Sequence, residues 1–214
     1  MFGKRGLGSS WRSVWRWIDH VLVRQISWKK TQKPKSEETN MRLQEMEPER
    51  ETNHLNLQLT QVPVTNTGML IRKPVAEVFE AFVNPNITTK FWFTKSSERL
   101  EAGKQVQWDW EMYGISVPVT AKVIEPNQRI LIEWPGYSGL TTVEWTFSPQ
   151  EDAATFVNIT ESGFTGDGDE LVKQVTGSTQ GFSLVLAGLK AFLEHNVSLN
   201  LVADRYPNGV EQQH

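Results

Sequence analysis

The chain has 214 residues, 25 acidic against 22 basic, for a formal charge of -3. That length allows one ordinary domain with extensions, and a domain of about 150 residues buries roughly 70% of its unfolded surface, so a sizeable core is within reach. There is no cysteine, which excludes disulfides, thiolate metal ligands and thiol nucleophiles together.

The small net charge hides an asymmetry. Lys4, Arg5, Arg12, Arg16, Arg24, Lys29, Lys30, Lys33 and Lys35 face the single acid Asp19 in residues 1–35, and Glu37, Glu38, Glu45, Glu47, Glu49 and Glu51 follow. A basic head (1–35) on an acidic linker without order (36–54) is an extension, not core. Within the head Trp11, Val14, Trp15, Ile18, Val21 and Leu22 keep helical spacing, with Ser9 or Ser10 as a possible N-cap. Three readings compete: a helix lying in a membrane interface through Trp11, Trp15, Ile18 and Leu22, an organelle-targeting segment, or a leader without fixed structure from an over-long start. The segment is too short and too charged to span a bilayer. No secretory cleavage pattern follows it, so a cytoplasmic location is expected.

A folded domain is expected over 55–200, with 201–214 as a tail. Residues 55–64 alternate apolar and polar, and residues 69–71 continue as a short strand. Pro74 suits a first helical turn, in which Val75, Val78, Phe79 and Phe82 form one face. Asn84 and Pro85 end it, and a second short helix is expected over 87–91. Then Val106, Trp108, Trp110 and Met112 alternate with polar residues, as do Ile115, Val117, Val119, Ala121 and Val123, with Gly114 between them. Pro118 implies an edge position or a bulge. Ile130, Ile132 and Trp134 form the next strand, then Thr141, Val143, Trp145 and Phe147, then Thr155, Val157 and Ile159. Short connections make this an antiparallel meander with one polar face. The dry face needs a cover. Phe182, Val185, Leu186, Leu189, Phe192 and Leu193 repeat at i, i+3, i+4, i+7, so residues 169–196 supply it as a long amphipathic helix. Gly177 and Ser178 are a place where that helix could split, and Gly181 and Gly188 offer close approach or local weakness. The fold class is therefore α+β, a curved antiparallel sheet of about six strands wrapped on a long C-terminal helix, with two short helices after the first strand. A twisted sheet around one helix leaves a space, and that space is the candidate site.

The stretches IRKPVAEVFEAFVNP (71–85), KFWF (90–93), RILIEW (129–134), TTVEWTFSPQEDAATFVNITESGF (141–164) and GFSLVLAGLKAFLE (181–194) resemble the C-terminal domain of the activator of heat-shock-protein-90 ATPase family. That family lies within the START-like (SRPBCC) helix-grip superfamily typified by the birch pollen allergen and polyketide cyclases. The resemblance covers roughly residues 55–200. It implies a cavity under the C-terminal helix able to take a hydrophobic or amphipathic small molecule. The eukaryotic co-chaperones carry a separate N-terminal domain opening with an Asn- and Trp-rich motif. Residues 1–54 hold no such motif and are too short for that domain, so the stand-alone relatives are the closer comparison.

Chemistry is sparse. His20, His54, His195 and His214 are scattered, so no metal is expected. No Ser/His/Asp arrangement or phosphate loop is present, so no cofactor is expected either. The run GDGDE at 166–170 lacks the ligand spacing of a calcium loop; it reads as an acidic turn with Asp167 or Asp169 as N-cap. Glu161 keeps the phase of Thr155, Val157 and Ile159. Continued inward it would be a desolvated carboxylate at the cavity rim, suited to proton abstraction. The plainer expectation is that the strand has ended and Glu161 is solvated or caps the turn at Ser162 and Gly163. Tyr113 is a similar case at the end of another strand. Trp92, Trp108, Trp110, Val119, Trp134, Trp145, Phe182, Val185, Leu186 and Leu189 are the candidate cavity wall, although tryptophans of this kind more often fill the core. The acidic domain lacks the basic stripe that nucleic acid needs. A small-molecule binding module is the first expectation; a cyclase- or dehydratase-like enzyme and a chaperone or other protein-partner adaptor are its rivals.

Overall fold

In the computed structural model, residues 59–137 and 139–207 are described. The expectations for the head and the acidic linker lie outside them. The alternation at 55–64 does not become a strand where it is described, since regular pairing starts only at Thr65. Seven strands form one antiparallel sheet: β1 (Thr65–Ile71), β2 (Lys95–Ser96), β3 (Gln105–Trp110), β4 (Ile115–Glu125), β5 (Arg129–Pro135), β6 (Leu140–Gln150) and β7 (Ala154–Ser162), in the order β1-β7-β6-β5-β4-β3-β2. The strand beyond the expected six is the two-residue β2. Two short helices, α1 (Val75–Val83) and α2 (Pro85–Thr88), follow β1, with Pro74 as the N-cap of α1 and Asn84 accepting from the Asn86 amide to start α2.

The dry face carries Val117, Val119 and Ala121 from β4, Ile130 and Ile132 from β5, Val143, Trp145 and Phe147 from β6, and Val157 and Ile159 from β7. The alternation of β4 breaks once. Ala121 pairs with Ile132 but Val123 pairs with Leu131, so Lys122 is an extra residue and Ile124, opposite Ile130, takes the inward place that simple alternation assigns to Val123. β3 also stops earlier than its pattern suggests, because residues Glu111–Tyr113 turn as a 3-10 helix closed by Gly114 at φ 63. Pro118 lies where β4 is paired with β3 only; pairing with β5 begins at Thr120. The missing N–H therefore faces no partner strand. Beyond Thr120 and Glu133 these two strands part, and the cavity lies at that end.

The cover is α3 (Gly168–His195), a continuous 28-residue helix. It does not split at Gly177 and Ser178, because both are buried within it. Asp167 is the N-cap: its carboxylate accepts from the Glu170 amide, and the Glu170 carboxylate accepts from the Asp167 amide, which satisfies two of the otherwise unpaired N–H groups. At the other end Glu194 accepts from the Arg72 amide at 2.7 Å, and Lys190 donates to the Leu70 carbonyl at 2.8 Å, fastening α3 to β1. Residues 201–206, assigned to a tail from the sequence, turn back on the domain. α4 (Leu201–Asp204) buries Val202. No helix among the described residues is long and apolar enough to cross a membrane.

Candidate functional site

Three strands end side by side beneath α3. Trp134 on β5 is in register with Thr141 on β6, and Val143, two residues on, is in register with Glu161 on β7. Residues two apart share a face, so Trp134, Thr141 and Glu161 turn inward at one end of the sheet. Trp134 Nε1 donates to Glu161 Oε1 at 2.8 Å and Thr141 Oγ1 donates to the same oxygen at 2.6 Å. From α3, Ser178 Oγ donates to Oε2 at 2.5 Å. Glu161 is 1% exposed. It is neither solvated nor a turn cap, which corrects the plainer expectation: β7 runs to Ser162, and the turn is made by Gly163 at φ 90, where a Cβ would lie 3.3 Å from the Leu140 carbonyl oxygen. Burial pushes the Glu161 pKa above its ordinary value, against the three hydrogen bonds that favour the carboxylate.

This carboxyl is part of the wall of a cavity of about 120 Å³. Trp110, Tyr113, Ile115 and Val117 line it from the β3–β4 end, Trp134 and Pro135 from β5, and Gly177, Ser178, Gly181, Phe182, Leu184 and Val185 from α3; Trp92, Val202 and Arg205 complete it. A Cβ built on Gly181 meets nothing within 4 Å, so that face of α3 is open space. Aromatic rings share the wall with aliphatic side chains: Trp134 and Phe182 stack at 22° with centroids 6.0 Å apart, and Trp92 meets both at steep angles.

Five of the ten side chains expected in the wall are in it: Trp92, Trp110, Trp134, Phe182 and Val185. Trp108, Val119, Trp145, Leu186 and Leu189 are not; they are core residues, each 1% exposed or less. Trp108 is taken up by Phe93, stacked at 4.6 Å, and Trp145 by Phe82, Trp92 and Phe182. The cavity occupies one end of the sheet and helix, and these five lie further along. Ile115, Val117, Pro135, Gly177, Ser178, Gly181, Leu184, Val202 and Arg205 line it without having been expected there. The strand phase of Ile115 and Val117 and the helical phase of Ser178 and Gly181 with Val185 are the signals that could have found some of them.

The segment holding Val202 and Arg205 closes one side. Tyr113 Oη donates to the Val202 and Ala203 carbonyls, the latter at 3.1 Å. Arg205 donates from Nε to Tyr206 Oη at 2.7 Å and from Nη2 to Gln180 Oε1 on α3. Burial, more than any neighbouring charge, pushes the Tyr113 pKa up to about 12. No group of three or more metal-ligating side chains stands together among the described residues.

Comparison with known proteins places this arrangement. The family described as Activator of Hsp90 ATPase homolog 1-like protein matches residues 72–194, more than half of the chain. The crystal structure of SSP2350 from Staphylococcus saprophyticus is 34% identical, covers 64% of this chain and 96% of its own, and superposes with a TM-score of 0.56. DynU16, described as a putative protein in the dynemicin biosynthetic locus, gives 22% identity and a TM-score of 0.56 over 63% of this chain and 48% of that one. The solution structure of the Aha1 dimer from Colwellia psychrerythraea gives 18% and 0.54, over 62% and 97%. At these lower identities the likeness is one of fold. No curated protein matches. The chain belongs to the Activator of Hsp90 ATPase homolog 1-like protein family, with the helix-grip fold of the START-like superfamily.

Proposed function

We propose that this domain binds a hydrophobic or amphipathic small molecule in the cavity between the sheet and α3. The observation that carries the reading is the open space at Gly181. Protein interiors are close-packed, and the aromatic cluster beside the cavity obeys that rule, yet α3 presents a bare glycine to a ring-lined void instead of the Leu or Phe that would fill it. An apolar void with few polar groups is the usual form of a small-molecule site. A native mass spectrum of the purified protein is expected to show a retained lipophile, or the protein is expected to take up a small apolar fluorophore such as N-phenyl-1-naphthylamine. Gly181→Leu, which puts a side chain into the void, should abolish uptake while the melting transition persists. An empty protein that takes up neither the fluorophore nor a smaller aromatic probe such as indole sinks the reading.

A second reading has its own observation. The buried Glu161 carboxyl is a desolvated acid–base group beside Ser178 in the wall of a cavity, the form a proton-transferring cyclase or dehydratase would use. Glu161→Gln changing turnover of a candidate substrate, with binding retained, would favour it.

A further inference from the structure

Two donors reach Oε1 of Glu161, from Trp134 and Thr141, and one reaches Oε2, from Ser178. A carboxylate offers about four acceptor positions, so one position on Oε2 has no partner among the described residues. Leaving such a position dry costs free energy. Glu161 is 1% exposed but stands in the cavity wall, so a donor placed inside the cavity can reach that position.

The rest of the wall restricts what that partner is. Gly177 and Gly181, one helical turn apart, leave a strip of bare helix backbone, and the indoles of Trp92, Trp110 and Trp134 stand in the facing wall beside Ile115, Val117 and Pro135. Such surfaces suit a flat molecule. The volume of about 120 Å³ compares with the roughly 150 Å³ of an apolar cavity that holds benzene, so the space is on the scale of one small aromatic molecule. Charge is disfavoured at both signs. The lining is almost wholly apolar, so a ligand of either charge would lose its hydration on entry without a matching set of partners.

Resting on the reading that this cavity binds a small molecule, we propose that it selects a planar, uncharged aromatic molecule carrying one N–H or O–H group, which donates to Oε2 of Glu161. Ser178 and the ligand then share Oε2, while Trp134 and Thr141 hold Oε1.

Indole and benzofuran test this directly. They have nearly the same shape, but indole has an N–H donor where benzofuran has an oxygen acceptor. By calorimetric titration of the full chain, indole is expected to bind at least about tenfold more tightly than benzofuran. Ser178→Ala removes the competing donor from Oε2 and should widen the ratio. Glu161→Gln should narrow or reverse it, because Trp134 and Thr141 hold the amide oxygen in place of Oε1 and the amide N–H group then faces the ligand. If Glu161→Gln does not fold, Ser178→Ala carries the test. Equal affinities that respond to neither variant overturn the proposal, as does tighter binding of tryptamine, the cationic relative, than of indole. If N-phenyl-1-naphthylamine binds and is lost with Gly181→Leu while neither small probe binds, the proposal falls and the function above stands. If none of the three binds, both fall.

Discussion

Glu161 is pulled in two directions. Burial favours its neutral form, and the hydrogen bonds from Ser178, Thr141 and Trp134 favour the carboxylate; burial wins, and the pKa rises from 4.5. Just above pH 4.5 a larger fraction of the folded protein than of the unfolded chain keeps this proton. Stability is then fully present below that pH and falls as pH climbs through the raised folded value. Glu161→Gln has no proton to lose. Urea denaturation at stepped pH should therefore show wild type at its best relative to Glu161→Gln below pH 4.5 and declining above it. The lowered carboxyls of Glu80 and Glu194 slope the other way in both proteins and cancel. Glu161→Ala, which strands three donors, should cost about 3 kcal/mol. The inward phase of Glu161 was legible from Thr155, Val157 and Ile159. Its burial was not, because Trp134, Thr141 and Ser178 lie 27, 20 and 17 residues away along the chain, and no local pattern announces such a meeting.

Along α3 the glycines divide by what they face. A Cβ on Gly188 would lie 3.1 Å from the Phe91 carbonyl oxygen and 3.2 Å from its Cβ, whereas one on Gly181 meets nothing. Helix propensity rewards Gly→Ala equally at both, by about 0.5–1 kcal/mol. Gly181→Ala should keep that gain, about 1–4 °C in Tm for a domain of this size. Gly188→Ala should keep less or turn negative, since backbone of the Phe91 segment must move. Two thermal melts decide it, and an equal rise in both would mean that α3 does not approach Phe91 so closely. The helix itself was plain from its apolar spacing. Which glycine packs and which faces a void was not, because a residue without a side chain leaves no mark on the periodicity. The same silence let Gly177 and Ser178 look like a break, although the helix runs through both without one.

At the scale of the whole molecule the order of elements was legible, since each strand and helix carries its own period. The closure by residues 200–206 was not, because Val202, Arg205 and Tyr206 form too short a run to show any. That closure rests on Tyr113, whose hydroxyl donates to the Val202 and Ala203 carbonyls, and on Arg205 bound to Gln180. It joins the 3-10 turn after β3 to the chain after α3 at the cavity wall, so a ligand larger than the space of about 120 Å³ presses against it. Tyr113→Phe keeps the ring and its edge contact with Tyr206 but removes the donor. The cost to global stability should be only about 1 kcal/mol. Hydrogen exchange in residues 198–206 should quicken while β5, β6 and β7 stay protected, and uptake of N-phenyl-1-naphthylamine should speed up. Alkali should act on wild type in the same way. The folded pKa of Tyr113, about 12 against an ordinary 10.0, means that its contribution is intact below pH 10 and is lost as pH rises through 12, because a phenolate cannot donate. Tyr113→Phe should lack that alkaline step. If its exchange pattern matches wild type at neutral pH, Tyr113 is not what holds the closure, and Arg205 with Gln180 must hold it instead.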